Sequence, residues 1–125
     1  MENILLLSCA LIVFHIICPM IIGILSSKDI TFNYLFSSRD TEVKTSIFFE
    51  RSKRTFTNLL ETFPIFLILM VLSIFKGVDN YNLGMFWLIL RFIYIPLYVL
   101  NFKYIRTLIW ASSFLLLILM LFKFL

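Results

Sequence analysis

A chain of 125 residues that is 62% hydrophobic and only 14% charged, with a mean hydropathy of +1.02, has too little polar surface to cover a soluble globule. Its formal net charge of +4 is not gathered into a basic run interleaved with aromatics, so nothing points to nucleic acid. The class that remains is an integral membrane protein.

Ile4 to Leu25 carries no Asp, Glu, Lys or Arg and exceeds the roughly 20 residues that a helix needs to cross a bilayer. Its flanks argue for a retained span and against a cleaved signal peptide. Met1, Glu2 and Asn3 supply no basic leader, and no small-residue cleavage site follows Gly23. Cys9 and Cys18 lie nine residues apart on this helix, at opposite radial directions for about 100° per residue. They read as small apolar fillers, and with no CxxC spacing or His cluster nearby no metal site is expected. His15 reads as a neutral side chain hydrogen-bonded across helices.

Residues 26–54 form the one long polar linker. Three further apolar stretches follow, 55–75, 81–102 and 105–125, joined by short turns. Short connections make antiparallel neighbours, so the expected fold is all-α, a single domain over 1–125 built as a four-helix transmembrane bundle with spans at about 4–25, 55–75, 81–102 and 105–125. The apolar part of the second span is short, so its polar first half is needed for length. Pro19, Pro64 and Pro96 each fall inside a span, where a proline frees a carbonyl and marks a kink.

Basic residues concentrate in the first linker, at Lys28, Arg39, Lys44, Arg51 and Lys53, and in the third turn, at Lys103 and Arg106. Positive charge in short loops stays cytoplasmic. Loops one and three are therefore expected in the cytoplasm and both termini on the opposite side. The richness in Phe, Ile, Lys and Asn hints at an AT-rich genome and a bacterial inner (plasma) membrane.

The second span carries Arg54, Asn58 and Glu61 into an apolar run. At i, i+4 and i+7 they share one helix face, and ionisable groups at membrane depth mark functional sites. Arg91, Tyr94 and Tyr98 share a face of the third span, and Lys103 with Arg106 opens the fourth. Together they suggest one membrane-embedded pocket whose guanidinium, amide, carboxylate and phenol groups suit a small zwitterionic peptide. A blander alternative stays open, in which Glu61 neutralises Arg54 or Arg91 inside the bundle.

The pattern Phe49-Glu50-Arg51, Arg54, Asn58, Glu61, Phe63-Pro64 and Phe66, with the second patch Arg91, Tyr94, Tyr98, Arg106, Thr107 and Trp110, resembles the membrane-associated proteins in eicosanoid and glutathione metabolism. That family includes leukotriene C4 synthase and the microsomal glutathione transferases. The resemblance implies a homotrimer of four-helix subunits that bind glutathione between neighbours and meet a lipophilic small molecule or lipid from the bilayer. It implies Arg54, Asn58, Glu61, Tyr94 and Tyr98 as glutathione contacts and Arg106 as the thiolate-stabilising arginine, with Arg51 as its alternative. A fixed cation suits that role, because a thiol with a pKa of about 8.5 is mostly protonated at neutral pH. Thr62 departs from the tyrosine that follows the glutamate in leukotriene C4 synthase. The expected function is glutathione transfer or peroxidase chemistry on lipophilic electrophiles or hydroperoxides; the alternative is a non-catalytic lipid-binding or scaffold protein of the same fold.

Overall fold

A computed structural model describes residues 2–125. Five helices follow in order, α1 (Glu2–Ser26), α2 (Phe32–Phe36), α3 (Ile47–Lys76), α4 (Tyr81–Val99) and α5 (Lys103–Phe122), with no strand among the described residues. Four of them are long and apolar enough to cross a membrane. The fifth, α2, is a single short turn of helix within the first linker, a segment the sequence reading left without structure.

Each long helix buries one stripe. On α1 the buried positions are Ile4, Ser8, Leu11, His15, Pro19 and Gly23, three or four residues apart, as a single helix face demands. The outer faces remain apolar, with Leu6, Phe14, Ile21, Ile68, Phe86 and Leu115 all exposed. A helix apolar all round belongs in hydrocarbon, where those side chains cost nothing to expose.

The linker is folded back on itself. The Lys44 N–H donates to Asp29 Oδ2 and the Ser46 N–H to Ser27 Oγ, at 3.2 and 2.8 Å, so the first linker returns the chain to the end of α1 where it left. Ser46 then caps α3, its hydroxyl accepting from the Phe49 N–H at 3.1 Å. That cap sets the start of α3 at Ile47, eight residues ahead of the apolar span expected from residue 55. With about 1.5 Å of rise per residue, the added turns supply the length that the apolar half lacks.

Both tight turns use a left-handed residue. Gly77, at φ 67°, ends α3, and the Val78 N–H reaches back to Ser73 O at 3.0 Å. Asn101, also at φ 67°, ends α4, with Phe102 N–H donating to Leu97 O and Asn101 N–H to Tyr98 O. This paired arrangement satisfies the last carbonyls of a helix. It stops α4 at Val99, three residues before the expected end at residue 102.

Contacts fix which ends meet. Asn80 Nδ2 donates to Ser73 Oγ at 2.8 Å and to Met120 O at 3.4 Å, and Lys123 Nζ donates to Asp79 O, so the α3–α4 turn lies at the C-terminal end of α5. Glu2 and Asn3 border the same turn. Both termini therefore share one end of the bundle, and the first linker and the α4–α5 turn share the other. The core between them holds Leu11, Leu59, Phe63, Phe66, Trp87 and Met120, with the Phe66 and Trp87 rings stacked at 4.1 Å and 10°.

Candidate functional site

At the end that carries the first linker, helices α3, α4 and α5 enclose a cleft of about 270 Å³ lined by Asn58, Tyr94, Tyr98, Arg106, Thr107 and Trp110. Helix periodicity accounts for the selection. Tyr94 and Tyr98 are one turn apart on α4, and Arg106, Thr107 and Trp110 occupy the first two turns of α5.

The aromatic and cationic groups form a ladder. The Tyr94 and Tyr98 rings are tilted with centroids 5.5 Å apart. The Arg106 guanidinium lies 4.6 Å from the Tyr98 centroid, and that of Arg91 lies 5.9 Å from Tyr94 and 5.2 Å from Trp87. Such cation–π contacts hold a guanidinium in place without neutralising it. Thr107 donates its hydroxyl proton to Lys103 O on its own helix at 2.9 Å.

Arg91 sits behind the cleft, 1% exposed. Its Nη1 donates to Asn58 Oδ1 at 2.9 Å and its Nη2 to Thr62 Oγ1 at 2.7 Å. Nε of Arg91 and the Trp87 indole nitrogen are buried with no hydrogen-bond partner among the described residues. No close ion pair joins Glu61 to Arg54 or Arg91 among the described residues. Among the described residues the ion pair present joins Lys53 to Glu50, at 3.7 Å on an exposed surface. Glu61 points outward from α3, and the groups that satisfy Arg91 are a neutral amide and a neutral hydroxyl.

Four of the six sequence-derived contact candidates, Asn58, Tyr94, Tyr98 and Arg106, meet in this cleft. Arg54 and Glu61 do not line it; both are exposed on the stripe of α3 that also carries Asn58. Arg51, the alternative to Arg106, donates from Nη1 to Val99 O at 3.1 Å, tying the start of α3 to the end of α4. His15 is buried but bonds within its own helix, Nδ1 lying 2.9 Å from Leu11 O, and not across helices as expected. Cys9 and Cys18 are free thiols.

The residue whose role sequence reasoning missed is Thr62. It stood out only as a departure from a relative's tyrosine, whereas its spacing of one helical turn from Asn58 was the signal that both could grip one guanidinium. A larger cleft of about 590 Å³ lies between α1, the first linker and α3, with His15, Tyr34, Lys53 and Phe56 in its walls. A wholly apolar groove of about 340 Å³ runs between α1 and α4, past Leu7, Leu88 and Phe92.

The family model described as the MAPEG family matches residues 4–125, and the chain belongs to that family, whose members include glutathione transferases and related membrane proteins. No curated protein and no solved structure matches the chain.

Proposed function

For this member of the MAPEG family we propose a glutathione-dependent transferase or peroxidase that acts on lipophilic electrophiles or hydroperoxides drawn from the bilayer. The observation that carries the proposal is the convergence of Asn58, Tyr94, Tyr98 and Arg106 on one cleft from three different helices. These groups offer hydrogen-bond donors and a guanidinium, and a peptide thiol with free carboxylates is the complementary partner.

In this reading Arg106 serves the sulfur. A fixed cation beside a thiol favours the thiolate, which is the nucleophile. In the transferase reaction the thiolate forms a bond to an electrophilic carbon and the leaving group departs with its electron pair. Arg106 is held over Tyr98, which orients its charge toward the cleft wall without a carboxylate to quench it. Arg51 is the weaker candidate because its guanidinium already serves Val99 O.

Arg54 and Glu61 support a homotrimer. Ionisable groups do not face lipid, yet both are exposed on the single chain. A neighbouring copy packed on this face of α3 would cover them and complete a site between subunits, with Arg54 and Glu61 at the two charged ends of the tripeptide. Cytoplasmic placement of the first linker and the α4–α5 turn, in a bacterial inner membrane, would give the cleft access to glutathione.

The second reading, a non-catalytic lipid-binding protein, is favoured by the apolar groove past Leu7, Leu88 and Phe92. Turnover decides between them. Purified protein given glutathione with a chloronitrobenzene or cumene hydroperoxide is expected to consume the thiol, and a folded, glutathione-binding protein without turnover would establish the second reading.

A further inference from the structure

We infer that Arg91 is a positioning residue that fixes the side-chain amide of Asn58 as a hydrogen-bond donor toward the cleft, making the site selective for acceptor oxygens. The inference rests on the glutathione reading of the cleft and adds the direction of one of its contacts.

A guanidinium has donors and no acceptor. Arg91 Nη1 lies 2.9 Å from Asn58 Oδ1, so the carbonyl end of the amide is the end that faces Arg91. The reversed amide would set N–H against N–H. Arg91 is held in place, because its Nη2 donates to Thr62 Oγ1 at 2.7 Å and its guanidinium carbon lies 5.2 Å from the Trp87 ring centroid and 5.9 Å from that of Tyr94. The Thr62 hydroxyl can accept from Arg91 because its own proton is directed to Leu59 O. Every degree of freedom that would let the Asn58 amide flip is therefore taken up by a buried neighbour.

What remains is the Asn58 NH2 group. It has no hydrogen-bond partner among the described residues, and Asn58 lines the cleft with the two tyrosines and Arg106. Arg91 also brings a positive charge that no carboxylate balances within ion-pair distance among the described residues. At low local dielectric that charge is felt in the cleft. An amide donor, the Arg106 guanidinium and the Arg91 cation behind the wall together favour a carboxylate or peptide carbonyl oxygen at Asn58, and disfavour an ammonium there.

The test replaces the donor and keeps the grip. Asn58→Asp retains an acceptor for Arg91, so the protein is expected to unfold thermally at or above the wild-type temperature. Glutathione affinity, measured by calorimetry on detergent-purified protein, is expected to fall at least tenfold. Arg91→Lys keeps one donor to Oδ1 and is expected to bind within about fivefold of wild type, whereas Arg91→Gln, whose own amide can satisfy either orientation, is expected to lose tenfold or more. An Asn58→Asp protein that binds glutathione as tightly as wild type would overturn the inference while leaving the glutathione reading intact. A folded wild type that does not bind glutathione removes the reading itself, and the inference with it.

A second measurement reads the wild-type protein directly and does not depend on the affinity of any variant. In wild-type protein labelled with 15N-asparagine, the Asn58 NH2 resonances, identified by their absence in Asn58→Ser, are expected to move on glutathione addition. Unmoved NH2 signals at saturating glutathione would overturn the assignment.

Discussion

The Arg51 guanidinium, in the second turn of α3, donates to the backbone oxygen of Val99 at the end of α4, 3.1 Å away. A cation at a helix C-terminus satisfies a carbonyl that has no partner within the helix and meets the negative end of the helix dipole. That contact ties the start of α3 to the end of α4, and in the proposed reading the thiolate role falls to Arg106. Arg51→Ala is expected to destabilise the protein by roughly 1.5–3 kcal/mol, the scale of a hydrogen bond from a charged group, with glutathione affinity little changed. Thermal unfolding in detergent alongside calorimetry checks both halves.

Arg106→Ala is expected to show the reverse pattern. Its guanidinium packs on Tyr98 and makes no side-chain hydrogen bond or ion pair among the described residues, so the fold loses little. If it stabilises charge on sulfur, kcat falls by about 10²–10³, the usual effect of removing one electrostatic stabiliser. Arg106→Lys is not a conservative exchange at a site where a planar group lies on a ring, and recovers only part of the rate. Steady-state turnover of a chloronitrobenzene reads the difference.

Thr62→Val removes the acceptor for Arg91 Nη2 and changes little else in volume. A buried donor left unsatisfied costs about 1–3 kcal/mol. The variant should unfold at a lower temperature than wild type, and an unchanged transition would mean that Arg91 finds another partner.

Gly84 on α4 lies against α3 so closely that a Cβ there would sit 2.8 Å from the Met70 sulfur. Met70 is fully buried, and although its flexible thioether can yield to one added carbon, the two further methyls of a valine ask for more space. Gly84→Val is therefore expected to destabilise the bundle by roughly 1–3 kcal/mol, as overpacking does, without touching residues of the cleft.

Much of this arrangement was legible in the sequence, for identifiable reasons. The spans follow from uninterrupted apolar length, and the grouping of Tyr94 with Tyr98 follows from one helical turn of separation. Helix ends were harder, because they depend on single residues. The Ser46 cap lies outside the apolar run, and Asn101 stops α4 by adopting a left-handed backbone that nothing in hydropathy signals. Arg91 exposed the main limit of reading charge from a sequence. Its sign suggested a carboxylate partner, yet its Nη atoms donate to the neutral Asn58 and Thr62 side chains and its Nε has no partner among the described residues. Arg54 and Glu61 share the stripe of Asn58 as the periodicity requires, but both are exposed and neither forms an ion pair among the described residues.

Those two residues carry a fifth prediction. If a second copy covers this face, Arg54→Ala and Glu61→Gln should each weaken glutathione binding at least tenfold while the oligomer persists by light scattering. Unaltered affinity in both variants would remove them from the site.

Equilibrium binding of glutathione to the detergent-purified protein by calorimetry, with Glu61→Gln alongside, addresses the central claim most directly. The account predicts saturable micromolar to low-millimolar binding in the wild type and its loss in the variant. A folded wild-type protein that releases no binding heat with glutathione at any temperature tried, and shows no competition with a labelled glutathione conjugate, would contradict it.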